Sequence, residues 1–185
     1  MGRDDIVSLY AERGHAAYVG EGITQLQHAW QCGLLARQAG AAPPLQLAAW
    51  LHDIGHLVAG FEGSPTLRGI NDAHERRAAE VLAPAFGPSV AEPVALHVLA
   101  KRCLVTLQPG YRDRLSPDSI RSLALQGGKL SCDEAEAFLA LPAGRDALRL
   151  RVWDDNAKNP ALCFASPECV LVEMRAVIAQ AVSWR

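Results

Sequence analysis

The sequence has no excess of one charge. Its 18 Lys and Arg stand against 20 Asp and Glu, a formal net charge of −2. That balance excludes a broad basic face for nucleic acid. No apolar run approaches the ~20 residues of a membrane span, and the opening MGRDDIVSLYAERG lacks the apolar stretch of a secretory signal. These absences predict a soluble, cytoplasmic protein with neither a nucleic-acid nor a membrane partner. The five cysteines, Cys32, Cys103, Cys132, Cys163 and Cys169, form no CxxC pair and no regular spacing, which argues against a disulfide framework. Internal repeats, low-complexity tracts, linkers and period-2 strand patterns are also missing. What remains is 185 residues, 50% of them hydrophobic, enough for one compact domain over residues 1–185 with a real core.

The pattern reads as helices joined by short turns. A short amphipathic helix spans Asp4–Arg13. Thr24 with Gln27 forms a capping box for a helix over Gln25–Ala39, and Gly40 stops it. Pro43–Pro44 opens a helix from Leu45 to about Asp53. Residues 57–71, with Gly60, Gly63, Pro65 and Gly69, read as a loop. A helix over Asp72–Leu82 should stop near Pro84, and Ser89 with Glu92 should cap the next, Val90–Arg102. After a loop at Pro109–Leu115, helices follow over Pro117–Gln126, from Ser131 to Leu141, over Ala143–Lys158, and from Ser166–Pro167 to about Trp184. The expected fold class is all-α.

Five of the six histidines stand in helical settings beside other polar groups; His15 has no such setting. The centre is AAWLHDIGHL, where His52 and Asp53 end an apolar helix. Imidazole and carboxylate together suit a first-row metal, which would give a chain of balanced charge a local positive site. His28 lies upstream and Asp154 downstream in LRVWDDNAK, which is the sequence form of the HD superfamily. Ligands so far apart converge only where helices pack around a common centre. His74 and His97 are two further histidines that a one-metal site does not need; with Asp53 bridging through its two oxygens, they could hold a second ion. Asp155 competes with Asp154, because adjacent helical positions point roughly 100° apart. Lys101 follows His97 by one turn and would present a cation to an anionic substrate. His56, four after His52, shares its face if the helix continues, as a substrate contact or as a partner to a ligand.

The whole pattern resembles the HD-domain mixed-valent di-iron oxygenases that break the carbon–phosphorus bond of 1-hydroxyphosphonates, whose type activity acts on 2-amino-1-hydroxyethylphosphonate; it is more distantly similar to inositol oxygenase. The resemblance runs from about Tyr18 to Lys158, through YVGEGITQLQHA, LHDIGHL, His74–Glu75, LHVLAKR, LSPDSIRSLALQGG and LRVWDDNAK. It implies a helical bundle around two iron ions in the Fe(II)/Fe(III) state. His28, His52, Asp53 and Asp154 would hold one iron, and His74, His97 and bridging Asp53 the other. Lys101, His56, Ser119 and Ser122 would face the phosphonate, Tyr18 and Glu21 would reach the open side of the pocket, and Gln126 would either contact substrate or cap its helix. Glu21 could attract a substrate ammonium. His56 and Lys101 are the residues expected to take part most directly in turnover. Arg77, where the family has a small residue, and Cys103, where it often has an aromatic, depart from the pattern.

The resemblance implies a small-molecule phosphonate and O2 as partners, with phosphate and a carboxylate as products. The competing activity is metal-dependent hydrolysis of a phosphate ester, which needs no oxygen. A third possibility is an HD module that keeps metal for structure alone, which Lys101 and the extra histidines argue against.

Overall fold

The computed structural model describes every residue except Val19, Phe61, Glu62, Ser64 and Arg185. The chain folds as helices: α1 (Arg3–Arg13), α2 (Gln25–Gln38), α3 (Pro43–Leu51), α4 (Ile54–Ala59), α5 (His74–Phe86), α6 (Pro88–Leu107), α7 (Pro117–Leu125), α8 (Cys132–Leu139), α9 (Gly144–Asn156) and α10 (Pro167–Ser183). Two-residue strands, β1 (Ala17–Tyr18) and β2 (Ile23–Thr24), pair antiparallel between α1 and α2. No described helix is long and apolar enough to cross a membrane.

Local chemistry sets the helix starts. The Thr24 hydroxyl accepts from Gln27 N while the Gln27 side chain returns to Thr24 N. Ser131 makes the same reciprocal pair with Glu134 at the start of α8, and the Ser116 and Ser166 hydroxyls accept from Ser119 N and Cys169 N to cap α7 and α10. Around the apolar α3, buried on nearly every side, pack α2, α6, α9 and α10. The resulting core runs from Ile6 and Tyr10 through Leu47, Leu51 and Ile54 to Leu150 and Met174. Gly33 lets α2 approach α3, because a Cβ there would lie 2.1 Å from the Trp50 indole nitrogen.

Several boundaries differ from the sequence reading. The helix that begins in α3 breaks at His52–Asp53, where Asp53 takes φ −96°, ψ 8°, and restarts as α4. His56 and His52 therefore do not share one helix face. Part of the expected loop at 57–71 is helical to Ala59, and a 3-10 turn covers Thr66–Arg68; Phe61, Glu62 and Ser64 of that loop, and Val19 of the YVGE segment, lie outside the described residues. α5 passes through Pro84, which costs it one backbone N–H bond in the last turn, and ends at Gly87 (φ 79°). Ser89 is the second residue of α6 and not its cap, since the helix begins at Pro88 and continues to Leu107.

Candidate metal centre and substrate cavity

Four helices and the α3–α4 break converge on one buried point. His28 comes from α2, His52 and Asp53 from the break, His74 from the first residue of α5, His97 from the middle of α6 and Asp154 from α9. All six are buried. Each imidazole is fixed through its Nδ1. His28 Nδ1 lies 2.9 Å from Ala157 O, His52 Nδ1 2.9 Å from Ala49 O, His97 Nδ1 2.7 Å from Val94 O and His74 Nδ1 2.9 Å from Asp72 Oδ1. Carbonyl and carboxylate oxygens only accept, so Nδ1 carries a hydrogen in each ring and Nε2 is the nitrogen left for a metal ion or a further proton.

Those nitrogens meet in two sets. His28 Nε2 and His52 Nε2 are 3.3 Å apart, and His74 Nε2 and His97 Nε2 are 3.1 Å apart. Two lone pairs at such distances repel unless a cation lies between them, either a shared proton or a metal ion. In the first set, His28 Nε2 is 3.5 Å from Asp53 Oδ2 and 3.4 Å from Asp154 Oδ1, and His52 Nε2 is 3.6 and 3.8 Å from the same atoms. In the second set, Asp53 Oδ1 is 3.6 Å from His74 Nε2 and 3.9 Å from His97 Nε2. The two oxygens of Asp53 thus serve different sets. Asp53 occupies the N-cap position of α4, yet its side chain makes no cap bond. Asp154 Oδ1 is buried without a hydrogen-bond partner.

These distances suit metal ions. At a metal–ligand length near 2.1 Å, neighbouring donors lie roughly 3.0 Å apart at right angles and roughly 3.5 Å apart in a tetrahedron. The donors are nitrogen and oxygen without thiolate, as iron and its neighbours accept. The first set offers four protein donors and the second three.

Electrostatics follow the same design. Burial pulls the His52 imidazole down, but the Asp53 and Asp154 carboxylates outweigh it and hold His52 well above its usual range. His97 is driven well below by burial and by neighbouring His74 and His52. Burial opposes ionisation of Asp154, and the Arg151 guanidinium, 2.7 Å from its Oδ2, overcomes it. Asp155 turns away from the centre to Arg151 and the Tyr111 hydroxyl, so Asp154 is the carboxylate that faces the histidines.

A cavity of about 780 Å³ opens over the centre. Asp53, His74, His97 and Asp154 form its floor, and every residue expected to face substrate, namely Tyr18, Glu21, His56, Lys101, Ser119, Ser122 and Gln126, lies on its wall. Lys101 is 2% exposed and donates to Ser122 Oγ at 2.7 Å. Burial, with the Arg151 charge nearby, pulls its ammonium down to about 7. Tyr18 stacks on His28 at 4.0 Å. Glu21 already has one cation beside it, with Lys158 Nζ 3.5 Å from its Oε1. Gln126 is the C-cap residue of α7, and its buried Oε1 has no partner. His15 also lines the cavity, at an exposed position.

Two residues of this site were not singled out in the sequence. Arg151 stands three before Asp154, a spacing that places both on one helix face. Asp72 stands two before His74, where it reads as an ordinary helix-start acid; the helix begins only at His74, and the Asp72 carboxylate turns inward.

A helical bundle with a His, His-Asp and distant Asp centre that could hold metal is the HD-domain arrangement, and the HD-domain family matches residues 26–120, just over half of the chain. Asp154 lies beyond that match and is brought to the centre by α9. The chain is 40% identical over 158 residues to hydroxymethylphosphonate dioxygenase of Gimesia maris, covering 85% of this chain and 78% of that one. It is 36% identical over 155 residues to 1-hydroxy-2-(trimethylamino)ethyl phosphonate dioxygenase (glycine-betaine-forming) of Leisingera caerulea, covering 83% and 79%. The chain belongs to the HD-domain phosphonate oxygenase family.

Proposed function

We propose that this protein is a di-iron oxygenase that uses O2 to break the carbon–phosphorus bond of a 1-hydroxyphosphonate, releasing phosphate and a carboxylate. The observation that carries the two-metal part is the pair of facing Nε2 sets, 3.3 and 3.1 Å across, that share Asp53. His28, His52, Asp154 and Asp53 Oδ2 would hold one iron; His74, His97 and Asp53 Oδ1 would hold the other. When bound, the irons, as an Fe(II)/Fe(III) pair, supply the redox chemistry with O2.

The protein's own groups bind and orient. Lys101 donates to Ser122 Oγ, whose own hydrogen goes to Ser119 O at 3.1 Å, and would present its remaining N–H groups to phosphonate oxygens; an anion arriving beside the buried amine favours its charged form. Ser119 and the Gln126 amide add polar contacts on the same wall, and His56 approaches from the opposite side on α4. Carbon–phosphorus cleavage needs the hydroxyl-bearing carbon held over the metals, and these residues anchor the phosphonate beside them. Both named relatives act, by their names, on phosphonates with a hydroxyl on the carbon next to phosphorus. The cavity has room for a substituent at the next carbon. An ammonium there would approach Glu21 alongside Lys158.

The test is phosphate release by iron-loaded protein from hydroxymethylphosphonate, 2-amino-1-hydroxyethylphosphonate and the trimethylammonium compound, with and without O2. Oxygen-dependent phosphate and a matching carboxylate are expected. Oxygen-independent release from a phosphate ester, with none from the phosphonates, would instead identify a hydrolase.

A further inference from the structure

Asp72 contacts two imidazoles at once, one through a hydrogen bond and the other through a close ion-pair contact. Its Oδ1 accepts from His74 Nδ1 at 2.9 Å, and its Oδ2 lies 2.7 Å from His56 Nδ1. The two rings stack, with centroids 4.1 Å apart and planes at 24°. His74 directs its Nε2 at His97 in the second donor set. His56 stands on the cavity wall with its Nε2 3.8 Å from Asp53 Oδ1. One carboxylate therefore braces a ring of the metal centre and a ring that faces the ligand.

The backbone is shaped for this. Ala73, between Asp72 and His74, takes φ 49°, ψ 40°, the one non-glycine positive φ among the described residues. Side-chain-bearing residues rarely adopt it, and Asn71 Oδ1 supports it by accepting from Ala73 N at 3.3 Å. The turn brings the Asp72 carboxylate to the same side as the His74 ring.

We propose that Asp72 is a positioning residue that locks His56 to His74 and so fixes the distance between a bound phosphonate oxygen and the second metal position. The identity of the ligand rests on the function proposed above; the clamp itself does not. A carboxylate behind a metal-binding imidazole holds its tautomer and orientation. Asparagine at this position keeps one acceptor oxygen for His74 but turns a donor amide toward His56 Nδ1, so the two functions of Asp72 separate by substitution.

The experiment compares Asp72→Ala, Asp72→Asn, His56→Ala and the Asp72→Asn/His56→Ala pair in the full chain. It uses metal titration, inorganic phosphate binding to the metal-loaded protein, and KM and kcat for hydroxymethylphosphonate. Asp72→Ala should weaken the second metal equivalent by about 10–100-fold and spare the first. Asp72→Asn should keep both metals, weaken phosphate binding, and raise KM more than it lowers kcat. The double variant should bind phosphate no more weakly than His56→Ala, because the clamp then has nothing to hold. Wild-type affinity for the second metal in Asp72→Ala, or additive phosphate losses in the double variant, overturns the assignment. Should Asp72→Ala fail to fold, Asp72→Asn and the double variant decide. If the wild-type protein loads two metals and turns over no phosphonate, the proposed function fails, while the metal and phosphate measurements still judge Asp72.

Discussion

Gly55, in the middle of the HDIGH segment, is where the fold and the centre are most tightly joined. A Cβ there would lie 2.0 Å from His74 O, 2.8 Å from its carbonyl carbon and 2.9 Å from its Cα. All three are backbone atoms, so no side chain can rotate away. A carbon–oxygen contact relaxes to about 3.3 Å, which requires α4 and the start of α5 to separate by about 1.3 Å. Metal–ligand lengths tolerate about 0.2 Å. His74 is the residue displaced, so Gly55→Ala should damage the second metal position far more than the first. The overpacking should cost about 1–3 kcal/mol of stability, which lowers Tm by about 2–12 °C in a domain of this size. The assay is a thermal melt of metal-free protein beside a metal titration of the folded variant. Gly33→Ala is the control: its Cβ would strike the Trp50 indole, a side chain outside either donor set, so it should destabilise the fold and keep two equivalents. A Gly55→Ala protein with two equivalents at wild-type affinity, or one that loses only the first, would refute the reasoning.

Asp53→Ala should abolish both metal equivalents, whereas His74→Ala should leave one, as measured by metal content after iron loading; equal stoichiometry in the two would remove the bridge. Metal loading should expel the proton that His52 retains in the metal-free centre, so calorimetric titration in buffers of different ionisation enthalpy should show proton release near neutral pH. Lys101 is held near 7 when folded and returns to about 10.4 when unfolded. Between those values the unfolded chain binds more protons, so this group makes metal-free protein more stable as pH rises from about 7 to 10, by up to ~1.4 kcal/mol per unit. Lys101→Met should remove that slope in urea unfolding, weaken phosphate binding and spare iron content; an unchanged slope would place the ammonium in solvent.

The helices and the six converging side chains, His28, His52, Asp53, His74, His97 and Asp154, were readable because each signal is local or categorical. Thr24–Gln27, Ser116 and Ser131 announce their helices through capping chemistry that depends on three or four residues. Histidine and aspartate in helices rich in apolar residues stand out by type. Asp72 was not legible because its role depends on Ala73 entering the left-handed region, which no residue type there signals. The end of the helix near Asp53 was readable, but its restart as α4 was not, because that short segment is held by the packing of Gly55 against the His74 backbone, which no local residue pattern signals. Glu21 read as available for a cation because Lys158, its partner, lies 137 residues away in sequence.

The centre also explains why so many polar groups are tolerated in the interior. Four imidazoles, two carboxylates and the Arg151 and Lys101 cations lie buried within one small domain, and a buried polar atom without a partner typically costs about 1–3 kcal/mol. Most of these groups are satisfied from behind, by Ala157 O, Ala49 O, Val94 O, Asp72 and Arg151. The buried side-chain atoms left without a hydrogen-bond partner are Asp154 Oδ1, which faces the histidines, and Asp72 Oδ2, Glu75 Oε2 and Gln126 Oε1. The protein spends its hydrogen bonds on orientation and leaves the converging atoms for a cation. Any ion that binds there binds the folded chain and not the unfolded one, so the same arrangement that prepares the centre for chemistry makes metal loading a source of stability. Gln31 extends this logic outward. Its amide donates to Asn159 O at 2.7 Å and accepts from Asn159 N at 3.0 Å, which pins the chain just after α9. That pin holds Ala157 O against His28, and so the position of one ligand is set by a hydrogen-bond pair well outside the centre itself.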